Sequence, residues 1–156
     1  MAYHPQFELW AVGRPDELSI KLARRALFHL CLALTRIDYE HLIAFPETKK
    51  LYRSGVRYHD DTHIDCWKGE CRPKEDFWQD LPTTYSKQYG DCEDLSCIRC
   101  AELWVEGIHA LPFPRLQNGG LGEQQLWHIQ VLWPDGTIED PSVILGMNET
   151  QPTEKK

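Results

Sequence analysis

Cys92, His128 and Asp140 are the residues of this chain whose types and spacing could do covalent chemistry. Gly90-Asp91-Cys92-Glu93-Asp94 opens a helical stretch, Trp127-His128-Ile129 lies in an alternating segment, and Glu139-Asp140-Pro141 follows a turn. A thiol attacks a carbonyl once a neighbouring base takes its proton, and a carboxylate that orients the base completes the set. Read this way, the three residues sit on a helix start, a strand and the next strand. If the fold brings them together, the chain is a cysteine hydrolase or an acyl-transferase. If it does not, the sequence describes little beyond a small domain.

The helix start has its own logic. Asp91 suits the N-cap, and Asp94 three residues on completes a capping-box arrangement. Cys92 then takes the first helical position, where unpaired backbone N–H groups and the positive end of the helix dipole lower a thiol pKa. The same N–H groups could hold an oxyanion. The charges of Asp91, Glu93 and Asp94 oppose a thiolate, so an imidazolium partner is needed, and His128 is the candidate. Taken singly, each element has a plainer explanation: an acidic cap with an incidental cysteine, a packed strand histidine, a turn aspartate before proline. Their combination is what favours chemistry.

The elements that must position them can be read from periodicity. Pro15 precedes a helix over Asp16 to about Tyr39, with Ile20, Ala23, Leu27, Leu30, Leu34 and Ile37 on one stripe. Leu18, Leu22, Phe28 and Leu32 widen that stripe, so the helix is expected to be buried on more than one side or to pack on a partner. A shorter helix over 40–52 is interrupted at Pro46. Residues 53–90 show no clear period, and long stretches of this kind are often functional. The nucleophile helix runs from Asp91 or Cys92 to near Gly107, a natural stop. Residues 110–126 read as an aromatic, proline-containing loop that lines the substrate cleft together with Trp127. Trp127, Ile129, Val131 and Trp133 share one face of the following strand, and His128, Gln130 and Leu132 the other. Pro134-Asp135-Gly136 turns the chain into a returning strand over Thr137 to Asp140. This makes a single domain over 1–147, with a helical part over 1–52 and a core over about 76–147. A polar tail over 148–156 reads as disordered.

Composition sets outer bounds. Apolar residues make up 42% of 156, enough for a core, and the net charge of −7 argues against a nucleic-acid partner. No apolar run approaches the roughly 20 residues of a membrane span, so no membrane partner is expected. Met1 to Trp10 lacks a signal-peptide pattern, which points to a cytoplasmic protein with reduced thiols.

Tyr89-Gly-Asp-Cys-Glu-Asp-Leu-Ser, Trp127-His-Ile-Gln-Val and Asp135-Gly-Thr-Ile-Glu-Asp140-Pro-Ser together resemble the transglutaminase-like cysteine peptidase superfamily. The resemblance covers about 76–147 and is closest to small bacterial and bacteriophage-encoded members. It implies an α+β, papain-like fold with the cysteine helix packed on an antiparallel sheet, and a triad of Cys92, His128 and Asp140. It implies a protein or peptide substrate and no obligatory cofactor. One branch of the family binds calcium beside the nucleophile, a role that would fall to Asp91 and Glu93. A second oxyanion donor is not fixed by a motif. Gln88 is the first candidate, ahead of Trp78 and Trp67, and Trp78 also joins Trp127 as a cleft candidate.

The other cysteines admit two readings. Cys97 and Cys100 form Cys-x-x-Cys, and His59, His63, Cys66 and Cys71 form a local set with zinc-loop spacing. The plainer account makes Cys97 and Cys100 small core residues on the helix stripe with Ala101, Trp104 and Ile108. Cys66 and Cys71 could form a disulfide in an oxidising compartment. Two rivals to the enzyme reading therefore stand: a non-catalytic virion or assembly protein on the same fold, docking or self-associating through the N-terminal helix, and a zinc-stabilised binding module.

Overall fold

A computed structural model of the chain describes residues 17–59, 64–67, 70–73, 78–118 and 126–148. The architecture is α+β. A long N-terminal helix and a central helix pack together and against a three-stranded antiparallel sheet, with two small strand pairs beside them.

Helix α1 (Glu17–Ala44) continues past the expected stop at Tyr39 and absorbs the start of the separate helix expected over 40–52. It ends two residues before Pro46, whose ring forbids a further turn. Only a 3-10 turn, Leu51–Arg53, follows within that span. The buried side of α1 also differs from the apolar stripe. Cys31, Leu34, Thr35, Asp38 and Leu42 face inward, while Ile37 and Leu22 are more than half exposed. The stripe was misleading because an apolar count passes over Thr35 and Asp38, which are both fully buried. Asp38 accepts from the Leu81 backbone N–H at 2.7 Å and so joins α1 to the next helix.

The span 53–90, which has no period, holds five short elements: β1 (Arg57–Tyr58), β2 (Ile64–Trp67), β3 (Glu70–Pro73), α2 (Leu81–Lys87) and β4 (Tyr89–Gly90). In α2 Asp80 is the N-cap, accepting from Thr83 N–H at 3.0 Å, with Pro82 in the first turn. β1 pairs in parallel with β4, placing Tyr58 beside Gly90. Gly90 is required by space. A methyl group there would sit 3.1 Å from both Asp94 Cβ and Thr84 Cγ2, side chains that are fully buried.

Helix α3 (Cys92–Val105) is the centre of the molecule. Leu95, Ile98 and Ala101 join Leu42, Leu51, Val56, Leu81 and Leu145 in one cluster. Cys97 meets Cys31, Leu34 and Ile129, and Cys100 and Leu103 meet Ala110 and Val131. The helix ends at Val105, before Gly107 at φ +80, a conformation that favours glycine.

The sheet runs β5 (Leu111–Asn118), β6 (Leu126–Leu132), β7 (Ile138–Glu139). Residues 111–118, expected to be loop because of Pro112 and Pro114, form its edge strand. The prolines fit because they stand opposite Val131 and Ile129, whose backbone groups turn away from β5. An edge strand needs no N–H on its outer side. The remainder of the expected loop, 119–125, lies outside the described residues, as does the tail from 149. Among the described residues no helix is long and apolar enough to cross a membrane.

Replacing Gly90 with Ala forces a methyl against two pinned side chains, and a loss of about 1–3 kcal/mol is expected. Urea unfolding measures it; an unchanged midpoint would show that the close packing of β4 on α3 is dispensable.

Candidate functional site

Cys92 is the first residue of α3, as the capping pattern predicts. Asp91 and Asp94 form the capping box, with the Asp94 carboxylate accepting from Asp91 N–H at 3.3 Å. Asp94 also accepts from the Gln79 backbone N–H at 2.7 Å and from Gln79 Nε2 at 3.0 Å. One fully buried carboxylate thus fixes both the start of α3 and the segment that leads into α2. Gln79 lies in the stretch without periodicity, and no sequence signal singles it out.

His128 and Gln130 point to one side of β6, while Ile129 and Val131 are buried against α1 and α3 on the other. Asp140 is not on a strand. Strand β7 stops at Glu139, and Asp140 is the N-cap of α4 (Pro141–Ile144), accepting through Oδ1 from Ser142 and Val143 N–H at 3.1 and 3.3 Å. Its Oδ2 lies 2.8 Å from His128 Nε2 and accepts from Gln130 Nε2 at 3.0 Å. Burial opposes the charge on Asp140, but the Gln130, His128 and Val143 donors outweigh it and hold the carboxyl below its usual range. An ionised carboxylate can only accept, so His128 Nε2–H is the donor of that hydrogen bond. Asp140 is further fixed by its neighbour: Glu139 accepts from Arg99 Nε at 2.7 Å and from Trp133 Nε1 at 2.9 Å, tying the end of β7 to α3.

Because β7 pairs only with Val131 and Leu132, the edge of β6 at Ile129 is left to α3. Ser96 Oγ donates to Ile129 O at 2.9 Å there, and Cys92 packs against the same residue. Cys92 therefore reaches β6 one residue from His128. The sulfur, however, donates to Glu93 Oε2 at 3.2 Å, and among the described residues no hydrogen bond joins it to His128. Burial, followed by the Glu93 and Asp91 charges, pushes the thiol up, and a backbone hydrogen bond at Ile129 pulls only partly the other way. The resting thiol is protonated. The opposition of the acidic flanks, foreseen in the sequence, comes from Glu93 and Asp91 and adds to the larger effect of burial.

The remaining candidates divide. Trp78 joins the apolar cluster that contains Cys92, whereas the Trp127 ring carries the Arg24 guanidinium 5.7 Å from its centroid. Gln88 does not face the thiol. It caps α2 in the left-handed region at φ 64, and its amide donates to Tyr85 O at 2.7 Å on the exposed surface. Asp91 and Glu93 are buried around Cys92. Cys97 and Cys100 are fully buried core thiols, as the plainer reading has it. Cys66 stands opposite Cys71 in the β2–β3 pair, while His63 and the Trp67 side chain lie outside the described residues. Among the described residues no three metal-ligating side chains converge.

No protein-family model, curated protein or solved structure matches the chain.

Two titrations test this geometry. Burial raises the Asp94 carboxyl to about 7, against the Gln79 and Asp91 donors. The unfolded chain releases that proton near pH ~4 while the folded one keeps it, so stability falls between about pH 4 and about pH 7. Asp94→Asn is expected to flatten that decline in urea unfolding; equal slopes in the two proteins would disprove it. Glu93→Gln removes an acceptor and a charge from Cys92, so its thiol pKa should drop, raising the alkylation rate about tenfold at about pH 8. No acceleration would mean that Glu93 does not restrain the sulfur.

Proposed function

We propose that the chain is a thiol-dependent hydrolase or acyl-transferase on a papain-like, transglutaminase-type core. The observation that carries this reading is the His128–Asp140 pair, held at 2.8 Å one residue from the place where Cys92 meets β6. In the reaction His128 Nδ1 takes the thiol proton and Cys92 Sγ attacks the carbonyl of a peptide or glutamine-type amide. The proton passes from His128 to the departing amine. Water or a second amine then resolves the thioester, giving hydrolysis or transamidation. Asp140 keeps Nε2 protonated throughout, and with it the orientation of the ring. The start of α3 supplies backbone N–H groups for the oxyanion. Calcium at Asp91 and Glu93 would relieve the negative charge that holds the thiol protonated, and the chemistry itself runs on side chains alone.

A second reading also has an observation behind it. Cys92 donates to Glu93 and is kept protonated, which suits a packed thiol in a non-catalytic interaction or virion assembly protein of the same fold.

Acylation separates the two. A p-nitrophenyl ester of an acyl-glycine is expected to add its acyl group to Cys92, read by intact mass, with none added in Cys92→Ala. His128→Ala should slow acylation by about 10²-fold or more, the usual worth of a positioned base. Acylation at the same rate without His128 would leave Cys92 a core thiol and favour the second reading.

A further inference from the structure

We propose that the cavity beside His128 is a receptor for a carboxylate carried next to an amide, which makes acidic acyl peptides the substrate class. The assignment rests on the reading of His128 and Asp140 as a reactive pair. The cavity has a volume of about 430 Å³ and is lined by Arg115, Leu116, Gln117, His128, Gln130 and Asp140. Among the described residues Leu116 is its only apolar lining residue, so it is shaped for a polar ligand.

Arg115 stands directly opposite His128 in the β5–β6 register, on the same face of the sheet. It is exposed, and among the described residues no ion pair or hydrogen bond engages its guanidinium. A planar fork of donors with no protein acceptor fits a carboxylate. Asp140 does not fill that role: its Oδ2 serves His128 and Gln130, and its Oδ1 serves Ser142 and Val143. Gln130 supplies the second half of the recognition. It is 9% exposed and spends its Nε2 on Asp140, and its Oε1 is buried with no partner. A ligand N–H would satisfy that acceptor. A cation across the sheet from the imidazole and an acceptor two residues along its own strand suit a ligand that carries a carboxylate close to an amide N–H. A peptide C-terminus has that arrangement, and an aspartyl side chain offers a near equivalent.

The test uses the full chain with Cys92→Ala, so binding is read without turnover. Acetyl-glycyl-glycine presents a terminal carboxylate, acetyl-aspartyl-methylamide a side-chain carboxylate, and acetyl-glycyl-glycinamide neither. The His128 ring resonances report binding by NMR. One of the acids is expected to bind at least tenfold tighter than the neutral peptide, and which one does so identifies the source of the carboxylate. Arg115→Gln should erase the preference, while Arg53→Gln, on the 3-10 turn, should keep it. Equal binding of all three, a preference that survives Arg115→Gln, or no saturable shift at His128 would overturn the proposal. Cys92 acylation is a separate measurement, so either result can fail while the other stands.

Discussion

The structure depends on one helix being buried on nearly all sides. Helix α3 has core clusters on three flanks, so its polar side chains cannot turn to water and must find partners inside the protein. The partners they find are the rest of the fold. Asp94 takes Gln79, Ser96 takes the backbone of Ile129, Arg99 takes Glu139, and Glu102 takes both Arg99 and the backbone of Leu51. Each tether costs desolvation and is worth keeping only if every group in it is satisfied. Together they join the chain before α2, the middle strand, the last strand and the 3-10 turn to a single rod.

The candidate site is a by-product of those tethers. Arg99 fixes Glu139, and Asp140 is the next residue. Ser96 draws the edge of β6 to α3 at Ile129, and His128 is the residue before it. Cys92 lies one turn before Ser96 on the same helix. Cys92 and the His128–Asp140 pair, from distant parts of the sequence, are thus each held in place because structural neighbours of each are anchored to one element. Precision of this kind comes from supporting residues that do no chemistry themselves.

What the sequence revealed follows from the range of the interactions. Cys92 at the first helical position was readable from Asp91 and Asp94, and the face shared by His128 and Gln130 from simple alternation, because both signals are local. Asp140 reads as the end of a returning strand, yet Asp-Pro-Ser is also a helix start, with aspartate at the cap and proline in the first turn. Arg115 was hidden because prolines at 112 and 114 read as loop, and only an unpaired outer edge makes them compatible with a strand. Asp38 was hidden because an apolar count passes over a carboxyl buried to cap another helix. Gln79, and the pairing of Arg99 with Glu139, have no local signature, since they join segments that meet only in the folded chain.

The contact between Cys92 and Glu93 has a consequence for the lifetime of the protein. Thiolates attack peroxide and disulfides, and a thiol held neutral by burial and an adjacent carboxylate does so slowly. A permanently activated sulfur would be spent on the first oxidant it met. Here Glu93, the residue after Cys92, acts as a preservative, favouring the protonated and less oxidisable form of the sulfur.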